Sequence, residues 1–343
     1  MAWTLLGKIA DHFLSFDFFV TFLTWISIFV GAAITFVVRT DHGLPRTFRG
    51  YLRFCFPREI VTTRTCRADA IFYVVNRLST PLIITPLLLG SAACATACYH
   101  LLTIGFGAQP QEPQSLLVLG CVAVAAVIVA DFATFYTHYL DHKIPFLWEF
   151  HKVHHSAEFL VPITNKRFHP VQQIFDNGGV ALATGALLGI AAYVLRMPLY
   201  ENTIVGLDAY FVINAFSFYH LRHSHIPMSY GWLERWLLSP AQHQLHHSRE
   251  TRHWDRNFGL FLSVWDRLFG TMLLAEPPGS YRLGLPGNEG ARFSTVRQLY
   301  ITPIANVWAT IWGSLRRRVG GARTGGARAD AAGAEPARQA RVS

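Results

Sequence analysis

The sequence predicts an all-α protein: a multi-span transmembrane helical bundle with a histidine-rich helical cap on the cytoplasmic face. Three observations carry that expectation. Hydrophobic residues make up 51% of the 343 and charged residues only 15%, with a mean hydropathy of +0.26, a balance that belongs to membrane proteins more than to soluble domains. Several apolar runs approach the roughly 20 residues a helix needs to cross a hydrocarbon core. Finally, thirteen of the sixteen histidines fall between His138 and His253.

Taken in order, the apolar runs place spans at Phe18–Val38, Pro81–Phe106, Ser115–Thr137, Gly178–Leu195 and Leu199–Phe218. The first lacks a basic leader and a small-residue cleavage site, so it reads as a retained helix. The fourth is short and glycine-rich enough to dip into the bilayer instead of crossing it. Between the first two lies a basic loop, 39–77, with eight arginines from Arg39 to Arg77 against Asp41, Glu59 and Asp69, which the positive-inside rule puts in the cytoplasm. The second and third spans then form a hairpin with an uncharged outer turn, GAQPQEPQ. The chain returns to the cytoplasm at His138, and a second hairpin turning at Arg196–Pro198 returns it again at about His220. Every histidine from His138 to His253 therefore shares one face of the membrane.

The chain divides into an N-terminal membrane region (1–110), a histidine-rich region (111–275), a membrane-associated segment (276–315) around apolar Leu299–Trp312, and a Gly, Ala and Arg tail (316–343) expected to be disordered. The five cysteines are scattered without a CxxC pair and read as buried thiols or plain packing. The basic stretches carry no nucleic-acid motif, and membrane orientation accounts for them.

The histidines carry the chemistry. His138 and His142 are four apart, and in HKVHH and HQLHH His151 meets His154 and His155, and His243 meets His246 and His247, at three and four. On a helix, such spacings bring imidazoles to one face, about 5–6 Å apart at Cβ. Imidazoles gathered this densely are hard to satisfy without a cation. The ring suits Fe, Zn, Cu or Ni, and eight histidines exceed what one tetrahedral ion accepts, so two metals are the simpler solution. His223 is the preferred further ligand, ahead of His220. His169, held extended by the following proline, is equally suited to ligation or support, and His225 and His253 suit support. Asp131, two helical turns before His138, is an ionisable residue inside an apolar span and so a candidate to hold an imidazole N–H.

With these boxes in hand, the chain resembles the fatty acid hydroxylase / sterol desaturase superfamily of integral-membrane histidine-box oxygenases. The pattern HX3H, HX2HH, HX2HH is matched by His138–His142, His151–His155 and His243–His247; HHSAEFLVPITNKRFHP from His154 resembles the family's middle segment and HHSRETRHWDRNFGLFLSVWDRLFGT from His246 its closing signature. The resemblance covers about residues 125–275. It departs at Tyr139, where the family often has arginine, and at His225, where it often has asparagine. It implies a catalytic di-iron centre on the histidines of the three boxes, with His223 as a further metal ligand, that uses O2 to hydroxylate or desaturate a C–H bond of a lipid. No GxGxxG fingerprint or iron–sulfur CxxC set is present, so electrons would come from a ferredoxin or cytochrome b5-like carrier with an NAD(P)H reductase. Its docking surface is expected at Arg222, Arg249 and Arg252. Two alternatives compete. A membrane zinc hydrolase would put glutamate beside the first histidine, where Tyr139, Lys152 and Gln244 stand instead. A metal carrier would need polar residues through the spans, which hold few beyond Asp131 and Asp208.

Overall fold

The structure, a computed structural model, describes residues 16–79, 90–199 and 217–324. Among these it is helical with no strand; the extended pairs Leu237–Leu262 and Ser248–Leu283 are isolated bridges. The helices are α1 (Phe16–Val38), α2 (Phe48–Cys55), α3 (Arg58–Val61), α4 (Arg64–Ser79), α5 (Ser91–Phe106), α6 (Leu116–Lys143), α7 (Pro145–His155), α8 (Pro170–Val194), α9 (Pro240–His246), α10 (Val264–Leu268) and α11 (Val296–Thr324), joined by short 3₁₀ turns.

Two of them, α6 and α8, are long and apolar enough to cross a membrane, and α5 and the Phe22–Val38 part of α1 are apolar but shorter. Their outer faces distinguish them from the core helices of a soluble domain. Ile104, Leu116 and Leu117 are 83%, 87% and 77% exposed, an apolar surface suited to lipid. The glycine-rich fourth span lies within a continuous 25-residue helix, long enough to cross. Its glycines serve packing: a Cβ on Gly185 would lie 2.4 Å from Cβ of Cys94, and one on Gly189 would lie 2.6 Å from the Ala95 carbonyl. Small residues here bring the α5 and α8 backbones together, as is usual for helices in lipid. Ala95, Val122, Ala126, Leu188 and Met197 fill the junction with α6. Part of the second predicted span (81–89) and most of the fifth (200–216, with Asp208) lie outside the described residues.

The basic segment expected as a loop is instead helical in α2, α3 and α4. Charge hid a period of three to four: Cys66, Ala68, Asp69, Phe72 and Asn76 are the buried face of α4. Phe72 packs with Val153, Phe293 and Leu299 from three other segments, and burying each such side chain stabilises by roughly 1.5–3 kcal/mol. Arg167 joins the same elements by polar contacts. It pairs with buried Asp69 and donates to the Val153 carbonyl (2.8 Å), Ser156 Oγ (2.9 Å) and the Phe293 carbonyl (3.1 Å). The closing helix continues to Thr324, beyond the predicted end of the apolar segment, and 325–343 lie outside the described residues.

A candidate metal centre

Proline and its neighbours set the helix starts that aim the histidines. Pro145 opens α7 directly after α6, because Ile144 before it is extended (φ −98°, ψ 114°) and ends the preceding helix. His138 and His142 thus occupy the last turns of α6, and His151, His154 and His155 the next helix beyond a sharp corner. Pro240 opens α9 behind a reciprocal cap in which Ser239 Oγ accepts from Gln242 N (3.1 Å) and Gln242 Oε1 accepts from Ser239 N (2.9 Å).

The helices meet to form two groups. The ring nitrogens of His138, His142, His151, His155 and His246 lie within 4.8 Å of one another, as do those of His154, His223, His243 and His247. The groups share a wall, with the His155 and His247 rings stacked at 4.5 Å. Box membership does not decide the group, since each five-residue pattern sends side chains to both. His223 is the histidine outside the boxes that joins them.

These nitrogens do not form a hydrogen-bond network. His223 Nε2 lies 2.9 Å from that of His154, 3.1 Å from that of His247 and 3.0 Å from that of His243. A neutral imidazole has one N–H, so no protonation pattern satisfies all of these contacts. Burial foremost holds His151, His154, His155, His223, His243, His246 and His247 well below the ordinary histidine pKa, so the rings are neutral. Nε2 of His138 and of His246 is buried without a hydrogen-bond partner. Converging neutral lone pairs with orphaned acceptors fit a cation in each group, and imidazole donors suit a first-row transition metal.

The outward nitrogens are held by groups that the sequence did not single out. His138 Nδ1 donates to the Phe258 carbonyl (2.9 Å) and His246 Nδ1 to the Arg256 carbonyl (2.6 Å). Those carbonyls are aimed by a segment in which Asp255 (φ 58°) and Asn257 (φ 57°) are left-handed, a conformation Asp and Asn tolerate best among non-glycine residues. Asn257 is fixed by its amide to the Gln242 carbonyl (3.0 Å) and by accepting from Leu273 N (2.8 Å). Asp266 Oδ1 and Oδ2 accept from Phe258 N and Gly259 N, both at 2.8 Å. His151 Nδ1 lies 3.3 Å from Asp141 Oδ2 and 2.6 Å from the Gln172 amide, and His142 Nδ1 lies 3.5 Å from Asp255 Oδ1. Asp141 stands inside HYLDH itself, a signal passed over; a backbone carbonyl leaves none.

Several expectations need correction. Asp131 holds no imidazole: its oxygens accept from Phe261 N (2.8 Å), Leu262 N (3.3 Å) and Trp265 Nε1 (2.8 Å). Seven residues return it to the face of His138 but about 10 Å further along the axis, beyond reach of the ring. His169 caps α8 by accepting from Val171 N (3.2 Å), with Nε2 on the Tyr300 carbonyl (3.2 Å). Nε2 of His225 meets the Phe54 carbonyl (2.7 Å) and that of His253 meets Glu276 (3.2 Å). His220 packs against Tyr219 outside both groups. Arg222 is no surface residue; it is 4% exposed, bonded to the Gly259 and Leu260 carbonyls. Arg252 is exposed but paired with Glu276.

A cavity of about 730 Å³ is lined by His138 and His151 of one group and by His154, His223 and His243 of the other. Away from them it runs along α6 and α8 past Ala126, Ala130, Ala181 and Leu188.

The family model for fatty acid hydroxylase matches residues 123–271. Ornithine lipid hydroxylase OlsE of Rhizobium tropici is 30% identical over 170 residues, 50% of this chain and 47% of that protein. Human cholesterol 25-hydroxylase is 28% identical over 171 residues (49% and 57%), and human alkylglycerol monooxygenase 24% over 192 (55% and 38%). The matches thus span about half of these relatives or less. No solved structure matches the chain. Through its histidine-rich region, this chain belongs to the fatty acid hydroxylase superfamily.

Proposed function

We propose that this protein is a membrane-bound di-iron oxygenase that hydroxylates a C–H bond of a lipid, with its histidines on the cytoplasmic face. One observation carries the reading: a cavity lined along two membrane-length helices, by Ala126, Ala130, Ala181 and Leu188 and by the polar Gln172, Asp176 and Asn177, is also lined by histidines of both imidazole groups. The naming of the relatives as lipid hydroxylases and monooxygenases favours hydroxylation over desaturation.

His138, His142, His151, His155 and His246 would hold one iron, and His154, His223, His243 and His247 the other. Iron bound there supplies O2 activation and the power to break an unactivated C–H bond. The rest falls to the chain. Its ligands are neutral, so the bound cations keep their charge. The carbonyls of Arg256 and Phe258 keep the protons of His246 and His138 on Nδ1, leaving Nε2 free to bind. Phe258, fully buried against His138 and His246, seals the site from water on the closing-loop side. The small residues on α6 and α8 leave the width through which an acyl or sterol body enters from the bilayer. Electrons come from a separate ferredoxin or cytochrome b5-like carrier and its NAD(P)H reductase. For a zinc hydrolase, a carboxylate would have to face the converging nitrogens; Asp141 and Asp255 instead touch outward Nδ1 atoms.

The test is a comparison of lipid extracts from cells expressing wild type or His246→Ala under isotopically labelled O2, together with metal analysis of both proteins. We expect about two iron atoms per wild-type chain, and a labelled hydroxylipid that the variant does not make. Zinc in place of iron, or identical lipid profiles, would refute the proposal.

A further inference from the structure

The surroundings of the two imidazole groups are unlike, and the difference runs in one direction. In the five-histidine group, four rings have an outward acceptor: the Phe258 carbonyl for His138, the Arg256 carbonyl for His246, Asp141 for His151, and Asp255 for His142. In the four-histidine group no ring has one among the described residues. The Nδ1 atoms of His154, His223, His243 and His247 are all buried and meet no hydrogen-bond partner there. The ring of His154 lies flat on Phe168 at 4.5 Å, an apolar wall.

Asp141 and Asp255 both stand on the outward side of the five-histidine group, Asp255 pairing also with Lys143 Nζ at 2.6 Å. Outward acceptors hold ligand rings in orientation and raise their basicity, each commonly affecting metal affinity about 10–100-fold.

We infer that the two groups bind metal unequally, the five-histidine group filling first and tightly and the four-histidine group second and reversibly. This rests on the two-metal reading above. It would make oxygenase competence depend on occupancy of the weaker site, and so on the supply of metal.

The experiment titrates the full chain, stripped of metal in detergent, with Co²⁺. Binding is read from the visible ligand-field absorption of the ion and from metal analysis, with no reliance on turnover. Two steps are expected, the first at least about tenfold tighter. His243→Ala should lose the weak step and keep the tight one. Asp255→Asn, at a partly exposed position that folding tolerates, should weaken the tight step about tenfold and leave the weak one in place. Two ions bound in one step of equal affinity, or loss of the tight step in His243→Ala, would overturn the inequality while sparing the two-metal reading. Uptake of one ion or none would overturn both.

Discussion

Asp266 touches no histidine, yet removing it should empty the metal centre. The residue is fully buried, and its two oxygens accept from Phe258 N (2.8 Å), Gly259 N (2.8 Å) and Thr271 Oγ1 (2.6 Å). In Asp266→Ala the two amides and the hydroxyl lose their acceptor in a site closed to water. Each buried donor left unsatisfied costs about 1–3 kcal/mol. Allowing for partial relaxation, we expect a loss of about 4 kcal/mol, near the upper limit for single substitutions. The consequence for the site follows from chain connectivity: the Phe258 carbonyl that fixes His138 belongs to the residue whose amide Asp266 holds. Metal retention should therefore fall with stability, by about 10–100-fold in affinity. Thermal unfolding in detergent and metal content after desalting measure the two effects. Thr271→Val, which removes one of the three donors but leaves the carboxylate satisfied by the other two, should cost only about 1 kcal/mol and retain metal. Wild-type stability and metal content in Asp266→Ala would refute the scaffold role. So would full metal content in a strongly destabilised protein, because the two losses are argued to share one cause.

Two further outcomes are expected. Only neutral His169 can cap α8, since Nδ1 must accept from Val171 N while Nε2–H serves the Tyr300 carbonyl, and burial lowers its pKa to about 4. The unfolded chain protonates near 6.5, so the stabilisation is complete above that pH and is lost as pH falls toward 4, by about 3 kcal/mol at ~1.36 kcal/mol per unit. His169→Asn caps without titrating and should flatten that part of the acid-unfolding profile; an unchanged profile would show the cap does not titrate. Gly189→Val should loosen α5 from α8, since its Cβ alone would meet the Ala95 carbonyl at 2.6 Å, at a cost of about 1–3 kcal/mol or more. Gly178→Ala, with open space around it, should be neutral in the same unfolding measurement.

The inward half of this site was legible because it is periodic. Ligand atoms three and four residues apart on a helix converge whatever the rest of the fold does, so the boxes could be read as metal-binding before any contact was known. The outward half was not legible, for two reasons. His138 and His246 are steadied by main-chain carbonyls, and every residue has one. Asp141 sits in the first box but serves His151, ten residues on around the Ile144–Pro145 corner, a partnership set by the bend and not by spacing. Asp131 failed for a related reason, because matching helical phase says nothing about height along the axis. The basic segment misled differently. Its arginines suggested a loop, while the buried Cys66, Ala68, Asp69, Phe72 and Asn76 stripe of α4 anchors it under the second box.

A rigidly held metal-binding imidazole needs both of its nitrogens placed, and in the five-histidine group this chain divides that work between separate stretches of sequence. The boxes supply Nε2 atoms. The closing segment supplies what holds the other nitrogen for His138, His142 and His246, through two left-handed residues, Asp255 and Asn257, and a carboxylate, Asp266, that between them position Arg256 and Phe258. The same stretch continues as Phe261, Leu262 and Trp265 onto Asp131 of α6. Asp131 therefore belongs to the centre after all, though not as a support for any ring. It clamps the closing segment against the helix that bears His138, so the carbonyl of Phe258 and the ring it receives are fixed to the same α-helix from two sides. A segment with so little regular structure can hold metal ligands rigidly only because each of its turns is tied to something buried. The polar residues of the WDRNFGLFLSVWDRLFGT stretch, none of which needs to touch a metal, supply those ties.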